Sequence, residues 1–411
     1  MKEIGKHRIL LFAMFFLCFS CKEEIELETQ DFESVLVVEG TITNEFKFQE
    51  IKVSRTYLLE AHEQVLEDNA NVTIVDNMDN TYSFTQNTEG TYISDIEFEA
   101  SPNTNYTLLI TTSNGKQYKS LETELTPISQ IDNLYTENSE NEVQIFIDSA
   151  NDDNEAQYFR YEYEETHKIV VPYYSSLDAV ITNVLLNGKE FDIILVPKTE
   201  NQRICYTTNS SIDIIQTSTN QLNNNIVSRF PIRIINNDDS ILRERYTILV
   251  KQYVQSLEAY NFYKIINELS TSESLLSENQ SGYVIGNVSS VNDETEKIAG
   301  YFEVASVSSK RIYFNYFDVG VPRPKYPYDC EYRTDEEGIY NLNINHLILD
   351  YSLNGGESGE PDQRAILYDL LSPGDYYKYL GGGFGIYKIV SPECGNCTSF
   401  SSNIQPDFWE D

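Results

Sequence analysis

Apolar and polar residues alternate along most of this chain, in short runs rich in Val, Ile, Thr, Tyr and Phe. Such runs include Val35–Glu39, Glu50–Ser54, Asn71–Val75 and Thr104–Thr111. Alternation with a period of two places successive side chains on opposite faces of a strand. Asn, Asp, Gly and Ser separate the runs, as is typical of turns. The pattern therefore predicts a mainly β protein.

Two Asn-Gly pairs lie between alternating runs and predict tight hairpins. Asn114-Gly115 separates Tyr106–Thr112 from Gln117–Thr123. Asn187-Gly188 separates two further runs of the same kind. Asn and Gly readily adopt the positive φ that a two-residue hairpin turn requires.

The spacing of the predicted strands divides the chain. Residues 35–125 have the length and turn spacing of an immunoglobulin-like or transthyretin-like β-sandwich. A proline in the segment 126–132 predicts a linker, because proline cannot donate to a central strand. A larger β-rich domain is expected over 133–411. Its predicted helix near 255–270 has apolar residues every three or four positions, with Ser256 as a candidate cap.

The first twenty residues have the features of a secretory signal peptide. Lys2, Lys6 and Arg8 form a basic flank before the uncharged apolar run Ile9–Phe19. A membrane-spanning helix needs roughly 20 apolar residues. The shorter run is typical of the apolar core of a signal peptide. We therefore predict that residues 1–20 are removed.

Cys21 is the predicted lipidation site. Ser20 supplies the small residue that lipoprotein signal peptidase requires before a cysteine at the end of the apolar core. Cys18 and Phe19 depart from the usual residues at their positions. The alternative is a plain signal peptide in which Cys21 is incidental.

The residues after Cys21 indicate where the protein is delivered. Lys22, Glu23 and Glu24 resemble the export signal of Bacteroidota surface lipoproteins, a lysine followed by two acids. Residues 21–34 are then a lipidated N-terminus and a polar tether. We expect a lipid-anchored protein of the outer membrane of a Gram-negative bacterium, facing the extracellular medium.

The charge balance argues against nucleic acid as a partner. The chain has 29 Lys and Arg against 65 Asp and Glu, a formal net charge of −36. Phosphate backbones and anionic lipid headgroups repel such a chain. Because the acidic residues are spread along the sequence, we interpret them as the solvated surface of an exported protein.

Four cysteines remain in the predicted mature chain: Cys205, Cys330, Cys394 and Cys397. An even number in an exported chain favours two disulfides, with three connectivities open. Cys394-Gly-Asn-Cys397 also raises zinc or redox chemistry as alternatives. Zinc needs further ligands at regular spacing, and a redox pair needs a thioredoxin-like context. Since the sequence has neither, no metal or cofactor is expected.

Catalytic motifs are missing from the sequence, and we expect a protein that is not an enzyme. There is no nucleophile elbow and no H-E-x-x-H motif. The histidines His62, His167 and His346 are isolated from one another. The acidic clusters 76–80 and 151–155 lack the pattern of a calcium loop, so we interpret them as turns.

Eight short sequence segments along the chain resemble those of a known protein family. They are Leu36–Asn44, Cys205–Ser211, Arg245–Tyr253, Glu258–Tyr263, Gly286–Val288, Gly300–Ser306, Cys394–Cys397 and Pro406–Trp409. Their order and spacing resemble a large family of Bacteroidota lipoproteins of unknown function, over nearly the whole mature chain. Glu303-Val304 departs from that pattern, since small or polar residues are expected after the Phe.

The resemblance implies a companion of a TonB-dependent outer-membrane transporter, similar to the Sus-type nutrient-uptake pairs. In such pairs a surface lipoprotein lids a β-barrel and captures ligand. It identifies neither a ligand nor catalytic residues. We therefore expect an accessory subunit for ligand capture or lid closure, in which the lid action involves the linker near Pro127. The alternative is a structural or adhesive cell-surface β-sandwich protein without a transport role.

Trp409 is the only tryptophan in the sequence and follows Pro406-Asp407-Phe408. A large aromatic side chain near the end of a sequence is rarely left in solvent. We expect Trp409 to dock on the second domain. The alternative is that it docks into a partner protein.

Overall fold

The computed structural model describes residues 34–56, 65–150, 155–185, 190–222, 225–271, 284–330, 349–352, 368, 371, 378–383 and 386–411. The predictions outside these residues concern the signal peptide 1–20, Cys21, Lys22, Glu23, Glu24, the tether as far as residue 33, residues 151–154 of the second acidic cluster, the Asn187-Gly188 turn, His62 and His346. In the described part of the chain, no helix has the length and apolarity needed to cross a membrane.

Alternating residues of the N-terminal part form strands around one apolar core. The strands are β1 (Leu36–Thr43), β2 (Glu50–Arg55), β3 (Val65–Leu66), β4 (Asn71–Asp76), β5 (Thr81–Gln86), β6 (Thr91–Ser94), β7 (Asn105–Thr111), β8 (Gln117–Ser120) and β9 (Thr123–Glu124). Every second side chain of β4 and β8 is buried. Val38, Ile51 and Leu108 are fully buried in this core, and each such side chain contributes about 1.5–3 kcal/mol.

Two strands from much later in the sequence complete this first sheet. They are β19 (Val288–Ser290) and β20 (Ile298–Ala305). β20 pairs parallel to β1, and β19 pairs antiparallel to β8. Because of these pairings, neither β1 nor β8 is an edge strand. Gly300, at φ +95°, permits the close approach of β1, because a Cβ atom there would lie 1.9 Å from the Val38 carbonyl oxygen.

The first unit therefore differs from a contiguous sandwich over 35–125. Its pairing runs in the order β19-β8-β7-β4-β5-β6-β2-β1-β20, with β3 on β2 and β9 on β7. The ends of this sheet meet where the Asn287 side chain donates to the Phe302 carbonyl at 2.6 Å and accepts from the Phe302 amide at 2.8 Å. One curved sheet thus encloses the core, and residues 288–305 belong to it despite the predicted boundary at 126–132.

The second unit is a sandwich of two sheets. The three-stranded sheet contains β10 (Asn133–Asn138), β11 (Glu142–Ala150) and β17 (Ile226–Asn236). The five-stranded sheet contains β12 (Tyr158–Val170), β15 (Ile204–Ser210), β16 (Ile215–Ser218), β18 (Tyr246–Val254) and β21 (Val307–Phe314). Ile145 and Ile147 of one sheet share a core with Phe159, Ile248 and Val250 of the other. The mainly β prediction is confirmed.

Two local predictions are also confirmed. The Asn114-Gly115 turn joins β7 to β8, and Gly115 has φ +85°. The predicted helix is α1 (Leu257–Thr271), and Ser256 caps it by accepting a hydrogen bond from the Ala259 amide at 3.1 Å. Its aromatic face belongs to the core, since Phe262 packs against Tyr301 of β20.

The linker is bonded to both units. The Thr126 hydroxyl donates to the Val254 carbonyl at 2.9 Å and accepts from the Ser306 amide at 2.8 Å. The Ser306 hydroxyl donates to the Pro127 carbonyl at 2.5 Å. These bonds hold the segment against β18 and the end of β20.

A buried ion pair joins the two units. Arg160 of β12 donates to Glu303 of β20 at 2.6 Å, and their side chains are only 9% and 4% exposed. Thr41 and Gln255 donate to the same carboxylate at 3.0 and 3.3 Å. Burial opposes the charge of Arg160, but the neighbouring Glu303 outweighs it and the pKa of Arg160 is raised. Glu303, which departs from the family pattern, thus contributes to the contact between the units.

The remaining elements lie beside the second sandwich. They are β13 (Leu177–Leu185), β14 (Glu190–Pro197), β22 (Leu349–Ser352), β23 (Lys378–Gly383), β24 (Ile386–Val390), α2 (Pro392–Gly395) and the 3₁₀ turns Ser240–Leu242 and Cys397–Ser399. β13 pairs with β14, and β24 pairs with both β22 and β23.

Two disulfides hold this region, as predicted. They join Cys205 to Cys397 and Cys330 to Cys394, with Cα atoms 5.8 and 5.7 Å apart. Both separations suit an unstrained bridge. Cys394 and Cys397 therefore pair with distant partners and not with each other. All four thiols are used, so none of them is left as a zinc ligand.

Candidate functional site

The flanks of four strands meet at one end of the five-stranded sheet. β12 ends at Val170, which pairs with Ile204 at the start of β15. β18 begins at Tyr246, which pairs with Phe314 at the end of β21. Neighbouring antiparallel strands run in opposite directions, so the end of one meets the start of the next. Residues that flank these strands therefore lie together although they are distant in the sequence.

Four basic side chains line a cavity of about 500 Å³ at this end of the sheet. Lys168 belongs to β12, Arg203 precedes β15, and Arg243 and Arg245 precede β18. We call it the basic cavity. Its other lining residues are Val170, Ile204, Glu244, Asn315, Tyr316 and Asp411. Four cations thus face two carboxylates in a chain whose net charge is −36, so the local field favours an anion.

A second cavity, of about 740 Å³, shares Arg243 with the first. We call it the tyrosine cavity, because Tyr173, Tyr326 and Tyr328 line it. Its other lining residues are Pro172, Lys325, Pro327, Asp329 and Cys330. Aromatic rings and prolines provide flat apolar surface, and Lys325 adds positive charge. This mixture of ring surface and a few charged groups is common in small-molecule sites.

The walls of the tyrosine cavity are held in place by covalent and hydrogen bonds. The Cys330–Cys394 disulfide ties its rim to α2, and the Tyr173 amide donates to the Cys394 carbonyl at 3.1 Å. The Tyr326 hydroxyl donates to the Glu393 carbonyl at 2.7 Å. Burial raises the pKa of Tyr326, so this hydroxyl remains a donor at neutral pH. A cavity held in this way needs little ordering when it binds a ligand.

Positive charges crowd one another around Arg243. Burial lowers the pKa of Arg243, the nearby Arg323 lowers it further, and Glu244 opposes both effects. Glu244 is shared, since it pairs with Arg323 and lies 3.6 Å from Arg243 Nε. An arginine stays cationic at neutral pH, so the two guanidinium groups repel each other. A bound anion relieves that repulsion.

Two cations of the paired cavities have no partner in the described part of the chain. The side chains of Arg203 and Lys325 are exposed, and neither forms a hydrogen bond or ion pair with a described residue. Arg203 lines the basic cavity and Lys325 lines the tyrosine cavity, whereas Arg243 lines both. Both are therefore available to a ligand that spans the two cavities.

The segment 406–411 borders the basic cavity. Trp409 is only 7% exposed, and its ring centroid lies 4.8 Å from that of Tyr206 on β15. The predicted docking of Trp409 on the second domain is thus confirmed. Its indole Nε1 donates to Asp411 at 3.2 Å, and Lys168 donates to the same carboxylate oxygen at 2.6 Å. The tryptophan is thereby linked, through the Asp411 carboxylate, to a cation of the basic cavity.

Other described residues considered from the sequence, among them His167 and Asp76, do not line the two cavities. His167 is partly buried on β12, and burial lowers its pKa against the opposing effect of Glu165. Asp76 accepts hydrogen bonds from the Met78 and Asn80 amides in a turn, as interpreted for the cluster 76–80. Among the described residues, no three His, Cys, Asp or Glu side chains are grouped as a metal site requires.

The basic cavity could not be predicted from the sequence. Its residues come from four separate strand flanks, so no single motif contains them. Two local signals were present: Arg243-Glu244-Arg245 before a strand, and the segment 322–328, in which prolines alternate with Arg, Lys and Tyr. Each concentrates basic residues in an acidic chain.

Comparisons with known proteins give a family and little else. A family model described as a domain of unknown function, DUF4249, matches residues 22–311. No curated protein matches the sequence. A crystal structure from Bacteroides uniformis, titled as a "putative carbohydrate binding protein", is 7% identical and aligns over 54% of this chain and 90% of that one. Its TM-score is 0.16, too low to support any inference about this chain.

Proposed function

Since this chain belongs to the DUF4249 family, whose description states no function, we propose from its geometry that it is a binding protein that captures an anionic ligand. One observation carries the proposal. In a chain with 65 acidic and 29 basic residues, four basic side chains converge on one cavity and adjoin a tyrosine-lined one. A cavity in which one sign of charge predominates raises the local concentration of the oppositely charged ligand.

The lining groups favour binding over catalysis. The titratable side chains of the two cavities are mainly Arg, Lys and Tyr, and Cys330 is in a disulfide. General acid–base catalysis uses a group with a pKa near the working pH, most often histidine. The described lining holds no histidine. We therefore propose a non-catalytic role.

The role we propose requires display at the cell surface. Lipidation at Cys21 anchors the protein in the outer membrane, and the signal Lys22, Glu23 and Glu24 directs it to the outer leaflet. The protein then presents its ligand to a TonB-dependent transporter. The anchor and the export rest on the N-terminal sequence and the transporter rests on the family resemblance, whereas capture rests on the cavities.

Display is tested by replacing the predicted lipidation site. In the native host, Cys21→Ser is expected to abolish labelling with a palmitate analogue and to release the protein from the outer membrane. Replacing Lys22, Glu23 and Glu24 with Ala is expected to keep the label but to remove the protein from the reach of protease added to whole cells. Unchanged labelling of Cys21→Ser contradicts the anchor.

The transporter partnership is tested by affinity purification from outer membranes solubilised in mild detergent. We expect a TonB-dependent barrel to co-purify in stoichiometric amount. Recovery of the lipoprotein alone, also after mild crosslinking, contradicts the partnership. That result favours the structural or adhesive alternative.

A further inference from the structure

Asp411 already holds a carboxylate inside the basic cavity. Its Oδ1 accepts hydrogen bonds from Lys168 at 2.6 Å and from Trp409 at 3.2 Å. The Arg245 Nε donates at 2.7 Å to the carbonyl oxygen of Glu410. Two of the four cavity cations are thus engaged by the chain's own acidic segment.

The chain is firmly anchored just before Asp411. The Phe408 ring lies 3.7 Å from the guanidinium carbon of Arg311, and the Tyr313 hydroxyl donates to the Phe408 carbonyl. Trp409 is buried against Tyr206. These contacts fix the backbone within two residues of Asp411.

The Asp411 side chain itself is loosely held. It is 66% exposed, whereas the Lys168 side chain that it pairs with is 20% exposed. An exposed ion pair of this kind contributes little free energy. A short tether nevertheless gives the carboxylate an effective concentration on the order of millimolar at the cation. Such a group occupies the cavity in the absence of ligand and leaves it without disturbing the anchor.

The rest of the cavity is not neutralised by this carboxylate. Arg203 has no partner among the described residues, and Arg243 still faces the positive charge of Arg323. Arg243 also lines the tyrosine cavity, together with three tyrosine rings. Tyrosine ring surface is therefore available in the cavity that shares Arg243 with the one that Lys168 lines.

We propose that Asp411 is a tethered competitor that occupies the position of a ligand carboxylate, and that the ligand is a carboxylate attached to a ring. The ligand's carboxylate displaces Asp411 from Lys168, and its ring lies in the tyrosine cavity. This inference rests on the proposed capture function. It adds the chemical class of the ligand and identifies Asp411 as a residue that lowers the affinity for that ligand.

Calorimetric titration of Asp411→Asn tests the competition. The probes are glucuronate and benzoate, which carry a carboxylate on a sugar ring and on an aromatic ring. Acetate lacks the ring, and methyl glucoside lacks the charge. We expect the variant to bind the better ring carboxylate about threefold to tenfold more tightly than the wild type, because the tethered carboxylate is gone. Acetate is expected to bind more weakly than either ring carboxylate, and methyl glucoside is expected not to bind.

Asp407→Asn is the matched control, since it removes an equal charge from the same segment outside the cavity. It is expected to bind with wild-type affinity. If both the wild type and Asp411→Asn bind a ring carboxylate, and the variant binds it no more tightly than the wild type does, Asp411 is not a competitor. Equal affinity for acetate and the ring carboxylates overturns the ligand class. If neither protein binds any anionic probe, both the inference and the proposed capture in this cavity fail.

Discussion

Glu303 is an acidic residue in a strand of largely buried side chains, and its environment explains its presence. Its carboxylate accepts from Arg160, Thr41 and Gln255, which come from three different strands or strand ends. A buried charge is tolerated only when it is paired and hydrogen-bonded. Removing one partner leaves the other charge buried and unpaired, which is far more costly than losing a pair in solvent.

We therefore predict that Glu303→Gln lowers the free energy of unfolding by about 3 to 5 kcal/mol. The matched control is Glu137→Gln, because Glu137 pairs with Arg229, whose side chain is 60% exposed. That change is expected to cost less than about 1 kcal/mol. Urea denaturation measures both. Similar small losses for the two variants contradict the buried contact between the units.

Asp411 gives a second prediction for a single residue. Hydrogen bonds from Lys168 and Trp409 lower its pKa below the ordinary value of 3.8. The charged form is thus favoured in the folded protein, so the Lys168 contact persists above that value and is lost as the pH falls through the lowered pKa. Trp409 fluorescence is expected to show a step below pH 3.8 that is absent in Asp411→Asn. The same step in that variant contradicts the assignment.

At the scale of elements, β12 links the first sheet to the basic cavity. Arg160 near its start contacts the first sheet, and Lys168 near its end lines the basic cavity. The strand pairs with β15, β16 and β18 along its length. The orientation of the cavity relative to the first unit is therefore fixed by one continuous strand.

The two disulfides differ in the length of chain that they close. Cys205 and Cys397 are 192 residues apart, and Cys330 and Cys394 are 64 apart. A disulfide stabilises more when it closes a longer loop. Cys205→Ala/Cys397→Ala is expected to lower the free energy of unfolding by about 2 to 5 kcal/mol, and Cys330→Ala/Cys394→Ala by roughly 1 kcal/mol less. Chemical denaturation of both double variants tests the order, and a reversed order contradicts it.

Elements set by local sequence could be predicted, and those set by distant pairing could not. The Asn114-Gly115 hairpin and the helix α1 depend on residues within a few positions of one another. The parallel pairing of β1 with β20 joins residues such as Leu36 and Ile298. The alternation of apolar and polar residues in a strand does not indicate which other strand it pairs with. The sequence therefore predicts the wrong unit for residues 288–305.

The candidate site shows the same limit. An even number of cysteines in a chain predicted to be exported indicates two disulfides, but their pairing follows only from the fold. Lys168, Arg203 and Arg245 meet only because antiparallel strands bring their flanks together. In the sequence alone, nothing distinguishes these three residues from other basic residues of the chain.

At the scale of the whole molecule, the two units are expected to unfold together. β19 and β20 tie the first sheet to later parts of the chain, and the linker and the Arg160–Glu303 pair bond one unit to the other. Trp409 reports only on the second unit, whereas far-ultraviolet circular dichroism reports on all strands. We predict coincident urea midpoints by the two methods, as expected for one cooperative transition. A separate transition seen only by circular dichroism contradicts this account.

The central claim is that the paired cavities capture an anionic ligand, and calorimetric binding to charge-reduced variants tests it most directly. Arg203→Met/Lys325→Met removes the two cations that have no partner among the described residues, so the fold is expected to persist. Lys52→Met/Lys119→Met removes equal charge from exposed positions on the first sheet. We predict that the wild type binds glucuronate or benzoate. The cavity variant is expected to bind the same probe at least about tenfold more weakly, which is equivalent to about 1.4 kcal/mol. The control variant is expected to bind with wild-type affinity. Equal weakening in both variants, or no binding of an anionic probe to the wild type, contradicts the claim.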